Sequence, residues 1–288
     1  MIIVRLKGGL GNQMFQYAIG RRLSEYYHTK LKLDTSLYQE EDGGITPRGY
    51  QLNRFFTTAE IARPKDLKFF FTAGSLLNKA RKFLANGKYI AEQSFRFNPE
   101  FLRFGKNCYL DGYWQCEHYF SDISGLIRKE FRLKLPFEGK NKHLADLIGS
   151  VNAVSLHIRR GDYVENPVTN QFHGSCSPEY YEKAVHHMGR EIKNPHFFVF
   201  SDDPAWVNNN FRIDFPMTIV AHNDDSNGFE DMRLMSICKD HIIANSSFSW
   251  WGAWLNGREQ KIVIAPQKWF NDQSVDTSTI IPERWLKF

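Results

Sequence analysis

From residue 151 onward, the sequence alternates short apolar segments with segments of helical periodicity. Apolar segments typical of buried strands lie at 151–158, 196–200, 217–221, 241–244 and 262–265. The segments between them predict helices at 204–210, 229–238 and 247–255, and a further helix that begins at Pro178 with Ser177 as its N-cap. Strands that alternate with helices are typical of βαβ units and a parallel sheet. The second half of the chain is therefore predicted to be an α/β domain.

The first of these strands ends in two arginines, in the run His157-Ile158-Arg159-Arg160-Gly161-Asp162. Charged side chains at the end of a buried strand are costly unless an anion meets them, and ligands bind at this end of the strands in open α/β sheets. Because a guanidinium group binds phosphate oxygens two at a time, the pattern predicts a diphosphate clamp. Two alternatives stay open: a structural ion pair with Asp162, and an Arg-Gly-Asp adhesion tripeptide.

Two later segments could complete an anion site. At the junction before the last predicted helix, Ser246 and Ser247 offer hydroxyl groups beside the free N–H groups of a helix N-terminus, which can bind phosphate. The alternative is a plain serine cap, with the neighbouring tryptophans in the core. Asp231 opens the preceding helix, where the helix dipole favours an acid. A buried carboxylate there could instead accept hydrogen bonds from guanine N1–H and N2–H₂.

The N-terminal region begins with a predicted strand at 1–6, a glycine turn at 8–12, a helix at 12–27 and a strand at 31–34. This order requires a dinucleotide fold to be considered, but Met14 stands where the third glycine of the fingerprint should be. A nicotinamide-dependent oxidoreductase is therefore kept as an alternative function. A strand at 109–114, a helix at 117–131 and a linker at 132–142 follow, whereas 40–107 is hard to interpret.

Composition sets limits on the class of protein. The chain has 288 residues, 42% of them hydrophobic, which suits one large or two medium domains, and its net charge of +5 favours anionic ligands. Residues 60–106 hold ten Lys/Arg against four Asp/Glu, interleaved with phenylalanines. That mixture can bind nucleic acid or a membrane face, or it can be an irregular region with phenylalanine in the core and lysine outside.

Several kinds of site are disfavoured by the absence of their motifs. The four cysteines form no C-x-x-C pair, so zinc is not expected, and we interpret them as reduced thiols of an intracellular protein. No D-x-D triad occurs, and the adjacent acids Asp202-Asp203 and Asp224-Asp225 are badly placed for joint ligation of one metal. No segment is long enough to span a bilayer. We therefore expect neither a metal nor a cofactor.

Three motifs resemble those of known fucosyltransferases. The run His157-Ile158-Arg159-Arg160-Gly161-Asp162-Tyr163 resembles the H-x-R-R-x-D motif of α-1,2-, α-1,6- and protein O-fucosyltransferases. The opening run from Gly8-Gly9-Leu10-Gly11-Asn12 to Ala18 is similar to that of the α-1,2-fucosyltransferases of glycosyltransferase family 11. The same holds for Asp231-Met232 through Ala244-Asn245-Ser246-Ser247-Phe248-Ser249-Trp250-Trp251-Gly252. The motifs lie in the family's order and span nearly the whole chain, whereas residues 40–107 match nothing that we can place.

The resemblance implies an α/β, GT-B-like fold, in which two Rossmann-like domains face each other across a cleft. Residues 1–139 would form the acceptor-side domain, and residues 140–288 the domain that binds GDP-fucose. It also implies a set of donor-binding residues. They are Arg159 on the diphosphate with Arg160 beside it, His157 beside the nucleotide, Asp231 on guanine, Ser246, Ser247 and Phe248 on phosphate, and Asn12 reaching into the cleft.

The implied activity is inverting transfer of L-fucose from GDP-β-L-fucose to the 2-hydroxyl of a terminal β-galactoside, on an oligosaccharide or a lipid-linked glycan. Arg159 would stabilise the charge that develops on the leaving phosphate. The motifs do not identify a catalytic base, and Asp162 and Glu165, just past the arginines, are candidates. The sequence lacks the N-terminal anchor and stem of animal relatives. We therefore expect a bacterial, cytoplasmic enzyme of lipopolysaccharide or O-antigen biosynthesis, with peripheral contact with the inner face of the membrane and no nucleic-acid partner.

Overall fold

In a computed structural model of the chain, the described residues are 1–38, 49–68, 70, 88–161, 167–224 and 226–288, without the side chains of 167–169. The chain divides into two compact units. Unit 1 comprises Met1–Lys134 together with Ser278–Ile280, and unit 2 comprises Leu135–Thr277 together with Ile281–Phe288. The division lies within the predicted linker and five residues before the predicted domain boundary at 139.

Unit 1 is built on a parallel sheet of short strands. Its described strands are β1 (Ile2–Arg5), β2 (Leu31–Asp34), β3 (Glu60–Ile61), β4 (Lys88–Ala91) and β5 (Cys108–Asp111), in the sheet order β3-β2-β1-β5-β4. Its described helices are α1 (Leu10–Tyr26), α2 (Pro64–Lys68) and α3 (Ser124–Glu130). Short 3₁₀ turns lie at Ser36–Tyr38, Leu52–Arg54, Pro99–Arg103, Glu117–Tyr119 and Ser121–Ile123. β1, β2, β5 and α1 were predicted, whereas β3 and β4 are new.

The predicted helix at 117–131 is wrong over its first half. Two 3₁₀ turns occupy that half, and a regular helix exists only in α3. The reason is tertiary packing: Tyr119 is fully buried with its ring edge-on to Trp114 at a centroid distance of 5.7 Å, and Phe120 is equally buried. The backbone around these residues thus brings both rings into the core of unit 1, and the regular helix begins only after them.

Unit 2 is built on a longer parallel sheet. Its described strands are β6 (Asn152–Ile158), β7 (Pro195–Ser201), β8 (Met217–Val220), β9 (Asp240–Ile242), β10 (Val263–Ala265) and β11 (Leu286–Lys287). Its described helices are α4 (Gly139–Ser150), α5 (Pro167–His173), α6 (Pro178–Glu191), α7 (Pro204–Asn210), α8 (Gly228–Ile237) and α9 (Ser247–Leu255). All predicted strands and helices of this half are present, which confirms the α/β interpretation. The sequence predicted no helix between residues 161 and 177, where α5 lies, and α4 begins inside the predicted linker.

The strand order of unit 2 determines where its site lies. From one edge to the other the order is β8-β7-β6-β9-β10-β11, with every pair parallel. This is the order of a Rossmann fold, in which the chain turns back on the other side of the first strand. One face of the sheet packs on α6 through residues such as Tyr181 and Met188, and the other on α4 and α8 through Ile148 and Leu234. The sheet is therefore buried on both faces, as parallel sheets are.

None of the helices in the described parts of the chain is both long enough and apolar enough to cross a lipid bilayer.

Candidate active site

The candidate site of unit 2 lies where the strand order reverses, between β6 and β9. Leu156 of β6 is paired with Ile242 of β9, so the segments that leave these two strands emerge side by side. Arg159 follows β6, and Ser246 follows β9 just before α9. The rings of His157 and Phe248 lie 5.9 Å apart, which brings two of the predicted segments into contact. In open α/β sheets, ligands bind in the crevice at such a reversal.

The two arginines at the end of β6 are held by acids at the end of β7. Arg159 Nη1 lies 2.7 Å from Asp202 Oδ2, and the Arg160 backbone N–H donates to Asp202 Oδ1 at 2.8 Å. The Arg160 side chain lies 3.5 Å from the Asp203 carboxylate and 3.7 Å above the ring of Trp206. The arginines are thus in ion pairs with Asp202 and Asp203. Asp162, which was considered as their partner, lies outside the described residues.

Gly161 is required by the packing of Asp202. A Cβ atom on Gly161 would lie only 2.4 Å from Asp202 Oδ2, the oxygen that pairs with Arg159. A side chain at this position would have to displace the carboxylate and, with it, the partner of the guanidinium group. The glycine of the motif therefore serves a local purpose: it lets the carboxylate of the neighbouring strand fit under the turn.

His157 is a neutral, buried histidine beside this pair. Only 5% of its surface is exposed, and its carbonyl oxygen accepts a hydrogen bond of 3.1 Å from the Tyr181 hydroxyl. Burial, followed by the positive charge of Arg159, lowers the pKa of His157 to about 3. Its Nδ1 atom is buried and has no hydrogen-bond partner among the residues that the structure describes. A neutral imidazole at this position adds no charge to the site.

The N-terminus of α9 lies on the other side of the strand reversal. Ser246 is the N-cap, and its hydroxyl oxygen accepts from the Phe248 N–H at 3.3 Å. Trp250, Trp251 and Trp254 are buried, so the plain interpretation of a serine cap above a tryptophan core is confirmed. Cap and anion site are compatible, because a helix N-terminus has more N–H groups than one cap satisfies. Ser247 and Phe248 are the first two residues of this helix and are partly exposed.

Asp231 lies in the first turn of α8, as predicted. Its Oδ1 accepts a hydrogen bond of 2.6 Å from Asn223 Nδ2. Burial raises the pKa of Asp231 to about 7; the Asn223 hydrogen bond opposes this shift and the charge of Glu230 adds to it. An acid in the first turn of a helix is favoured by the helix dipole, and a buried carboxylate can also accept hydrogen bonds from a ligand, so both interpretations of Asp231 stay open.

Unit 1 holds Asn12 by a separate set of contacts. Asn12 Oδ1 accepts a hydrogen bond of 2.8 Å from Gln115 Nε2. Gly8 has φ +76°, and a Cβ atom on it would lie 2.5 Å from Asn12 Nδ2. The carboxylate of Glu92 accepts from the N–H groups of Tyr113 and Trp114, which fixes the turn that carries Gln115. Burial raises the pKa of Glu92 to about 7. These residues lie at the carboxyl ends of β1, β4 and β5, where the strand order of unit 1 reverses.

The two candidate bases, Asp162 and Glu165, lie outside the described residues, and their roles stay predictions. The sequence interpretation missed Asp202, Asp203 and Trp206 as partners of the arginines. A signal for them existed, because Asp202-Asp203 directly follows a predicted strand. What the sequence did not provide was the adjacency of β6 and β7, whose pairing of Ile158 with Ser201 makes the next residues neighbours.

Comparison with known proteins identifies the family. A family model described as Glycosyl transferase family 11 matches residues 82–287. The chain belongs to glycosyl transferase family 11. An α-1,2-colitosyltransferase of Escherichia coli is 34% identical over 100% of this chain and 98% of its own length. The O-antigen biosynthesis glycosyltransferase WbnK, also of E. coli, is 36% identical over 98% of each chain.

A solved structure supports the fold of this family 11 chain. A mutant of Arabidopsis thaliana FUT1 in complex with GDP matches with a TM-score of 0.52, over 91% of this chain and 69% of that one, at 11% identity. The predicted GT-B-like α/β class is thereby confirmed.

Within unit 1, Asp34 at the end of β2 is buried and accepts from the Tyr109 hydroxyl and the Ser36 N–H. Asp34, which stands at the end of the second strand, where a dinucleotide-binding fold carries its ribose-binding acid, is thus engaged in local hydrogen bonds, and the chain is a glycosyltransferase.

The described residues contain no group of three or more His, Cys, Asp and Glu side chains that could hold a metal ion. Metal independence of the reaction remains a prediction.

Proposed function

We propose that this family 11 enzyme transfers L-fucose from GDP-β-L-fucose to the 2-hydroxyl of a terminal β-galactoside, with inversion at C1 and without a metal. The observation that carries the proposal is the meeting of Arg159, His157 and the N-terminus of α9 at the strand reversal of unit 2. Guanidinium and helix N-terminal N–H groups are both suited to a diphosphate. Unit 2 would bind the donor, and unit 1, with Asn12, would serve the acceptor.

The proposed reaction requires negative charge to be stabilised on the leaving GDP. As the acceptor hydroxyl attacks C1 from the face opposite the β-phosphate, the sugar becomes oxocarbenium-like and charge accumulates on the phosphate oxygens. Asp202 fixes one edge of the Arg159 guanidinium group, so the group need not reorganise when that charge appears. His157 stays neutral beside it, and Ser246, Ser247 and Phe248 would supply hydroxyl and backbone donors. Arg160 would add its charge from its place on Trp206.

The nucleotide selectivity of the proposal rests on Asp231. A carboxylate can accept from guanine N1–H and N2–H₂ together, whereas adenine presents no such pair of donors. Asp231 is mostly buried and is held by Asn223. Asp231→Ala should therefore raise the dissociation constant of GDP and weaken the preference for guanine over adenine. Unchanged GDP affinity in a folded Asp231→Ala protein would exclude this role.

A second donor is favoured by one comparison. The α-1,2-colitosyltransferase matches this chain over its full length, and colitose is L-fucose without its 3-hydroxyl group. A GDP sugar of colitose would differ from GDP-fucose by one hydroxyl on the sugar. GDP-colitose is accordingly the second candidate donor, with the same proposed contacts to the nucleotide.

The test of the proposal is a transfer assay with purified protein. Candidate donors are GDP-fucose, GDP-colitose, GDP-mannose and UDP-galactose, each offered with a β-galactoside such as lactose and with a glucoside as control. We expect transfer from GDP-fucose, an α-1,2 linkage in the product by NMR, and stabilisation against heat by GDP but not by UDP. Transfer from GDP-colitose alone would select the second donor. Transfer from UDP-galactose with no effect of GDP would refute both.

The proton of the acceptor hydroxyl also needs a destination. We propose Asp162 or Glu165 as general base, because both follow the arginines of the motif within six residues. Asp162→Asn or Glu165→Gln should lower kcat by about tenfold or more, since general-base contributions are about a hundredfold or larger. If neither substitution has this effect, the base lies elsewhere or is not needed. Peripheral contact with a membrane that carries the lipid-linked acceptor is part of the same proposal, and vesicle co-sedimentation tests it.

A further inference from the structure

A line of hydrogen bonds lies behind Asp231 in unit 2. It connects α4, the loop after β8 and the first turn of α8 through four partly buried side chains. The Nε2 atom of His222 lies 2.7 Å from Asn141 Oδ1. The amides of Asn141 and Asn223 exchange two hydrogen bonds of 3.0 Å each. Asn223 Nδ2 then donates to Asp231 Oδ1 at 2.6 Å. Of these residues, only Asp231 belongs to the motifs found in the sequence.

The hydrogen bond to Asp231 fixes which way each amide points. Because the carboxylate accepts, the amide nitrogen of Asn223 faces it, and Asn223 Oδ1 accepts from Asn141 Nδ2. A flipped Asn223 amide would aim its carbonyl oxygen at the carboxylate and lose both bonds to Asn141. Since Asn141 Oδ1 accepts, His222 must donate from Nε2. Burial, together with the charge of Lys140, lowers the pKa of His222, which fits a neutral ring with its proton on Nε2.

The hydrogen bonds of the described residues use only part of the acceptor capacity of the Asp231 carboxylate. Within the part of the chain that the structure describes, Asn223 makes the one hydrogen bond to Asp231, and it uses Oδ1. A carboxylate has about four acceptor positions, so Oδ2 and one position of Oδ1 are left for a ligand. Guanine offers two parallel donors on one edge, and a carboxylate matches them both only if its plane is fixed. The bond from Asn223 restricts that plane.

We propose that Asn223, backed by Asn141 and His222, is a positioning residue that holds the Asp231 carboxylate in the plane in which it distinguishes guanine from hypoxanthine. Hypoxanthine has the N1–H of guanine and lacks its 2-amino group, so it isolates the second hydrogen bond. The inference rests on the proposed function, which assigns Asp231 to the base of the nucleotide. It goes beyond that function because it makes base selectivity depend on two asparagines that do not touch the ligand in this scheme.

The test compares GDP with inosine diphosphate by isothermal titration calorimetry on the purified full chain. We expect the wild-type protein to bind GDP about tenfold more tightly, a difference of about 1.4 kcal/mol, because only guanine can donate the second hydrogen bond to Asp231. Asn223→Ala should reduce this ratio to about twofold or less, mainly by weakening GDP. Asn141→Ala should give an intermediate ratio, because Asn223 keeps its bond to Asp231 but loses its own support. Asn209→Ala, an exposed asparagine of α7, is the matched control and should keep the wild-type ratio.

A second variant tests the hydrogen-bond donor of Asn223 separately from the size of its side chain. Asn223→Asp keeps the size and shape of the side chain but places an oxygen where Asp231 now meets an N–H group. It should lower the ratio at least as far as Asn223→Ala, provided that circular dichroism shows a folded protein. If folded Asn223→Ala and Asn223→Asp both keep the wild-type ratio, the positioning role is overturned while the proposed function stands. A wild-type protein with no preference for GDP over ADP would instead refute the proposed function, and the inference with it.

Discussion

Substitution of Arg159 by lysine keeps the positive charge and removes the planar fork of donors. In the structure, Nη1 of Arg159 is committed to Asp202 at 2.7 Å, and the side chain is 17% exposed. A guanidinium group can bind Asp202 with one edge and a phosphate with its other donors. A lysine ammonium group is a compact charge on a flexible stem, and beside Asp202 it would satisfy the carboxylate first.

The expected loss can be estimated from the role proposed for Arg159. Removal of one preorganised donor from a developing oxyanion costs about 2.7–4 kcal/mol, which is a fall of about 100- to 1,000-fold in kcat. The donor is needed most when the leaving phosphate carries its full charge. We therefore expect kcat to fall further than the affinity for GDP-fucose does.

The assay is steady-state transfer from GDP-fucose to a β-galactoside, with GDP affinity measured separately by calorimetry. Arg190→Lys, an exposed arginine near the end of α6, is the matched control and should behave as wild type. Circular dichroism and thermal unfolding confirm that each variant is folded. A folded Arg159→Lys enzyme that keeps more than about a tenth of the wild-type kcat, a loss below about 1.4 kcal/mol, would refute the clamp assignment.

Three further predictions test other parts of the site. Gly161→Ala should lower kcat by about tenfold, or about 1.4 kcal/mol, because its Cβ would lie 2.4 Å from Asp202 Oδ2. Gly149→Ala is the control, because its Cβ would meet nothing within 4 Å, and it should keep the wild-type kcat. Equal rates for the two variants would contradict this prediction. The dissociation constant of GDP should rise as the pH falls through about 7, because burial raises the pKa of Asp231 to about 7 and the protonated form loses an acceptor. The terminal phosphate of GDP titrates in the same range, so the measured quantity is the difference between wild type and Asp231→Asn, and identical pH profiles would contradict the prediction. Transfer should continue in EDTA, and complete loss that Mn²⁺ restores would refute a metal-free reaction.

The sequence was sufficient to place α6 and α7 of unit 2 because a polar cap and a proline mark the start of each helix. α7 and α9 have the predicted bounds. Asp203 caps α7 ahead of Pro204, and Ser177 caps α6 ahead of Pro178. Each of these starts is set by one side chain that accepts from a backbone N–H group and by a residue whose φ angle already suits a helix. Such local signals do not depend on what the helix packs against.

The sequence was insufficient to predict the segments in which tertiary contacts determine the backbone conformation. β3 and β11 have two residues each, too few to show an alternating pattern, and both lie at sheet edges. In unit 1, Trp114 is fully buried with φ +58°, in contact with the rings of Phe101 and Tyr119. No local propensity places a tryptophan in the left-handed region. The hydrogen bond that the Trp114 backbone N–H donates to Glu92, a residue distant in sequence, holds it there.

The pairing of the arginines changes the physical interpretation of the motif itself. Two adjacent arginines indicated a positive site that attracts an anion. With Asp202 and Asp203 at hydrogen-bond and ion-pair distance, the four side chains have no formal net charge. These four side chains therefore add little long-range attraction for an anion, and under the proposed function a diphosphate would be selected by donors whose directions are fixed at short range. Under the proposed function, the carboxylates are therefore part of the binding site, because they hold each guanidinium group in one orientation before the ligand binds.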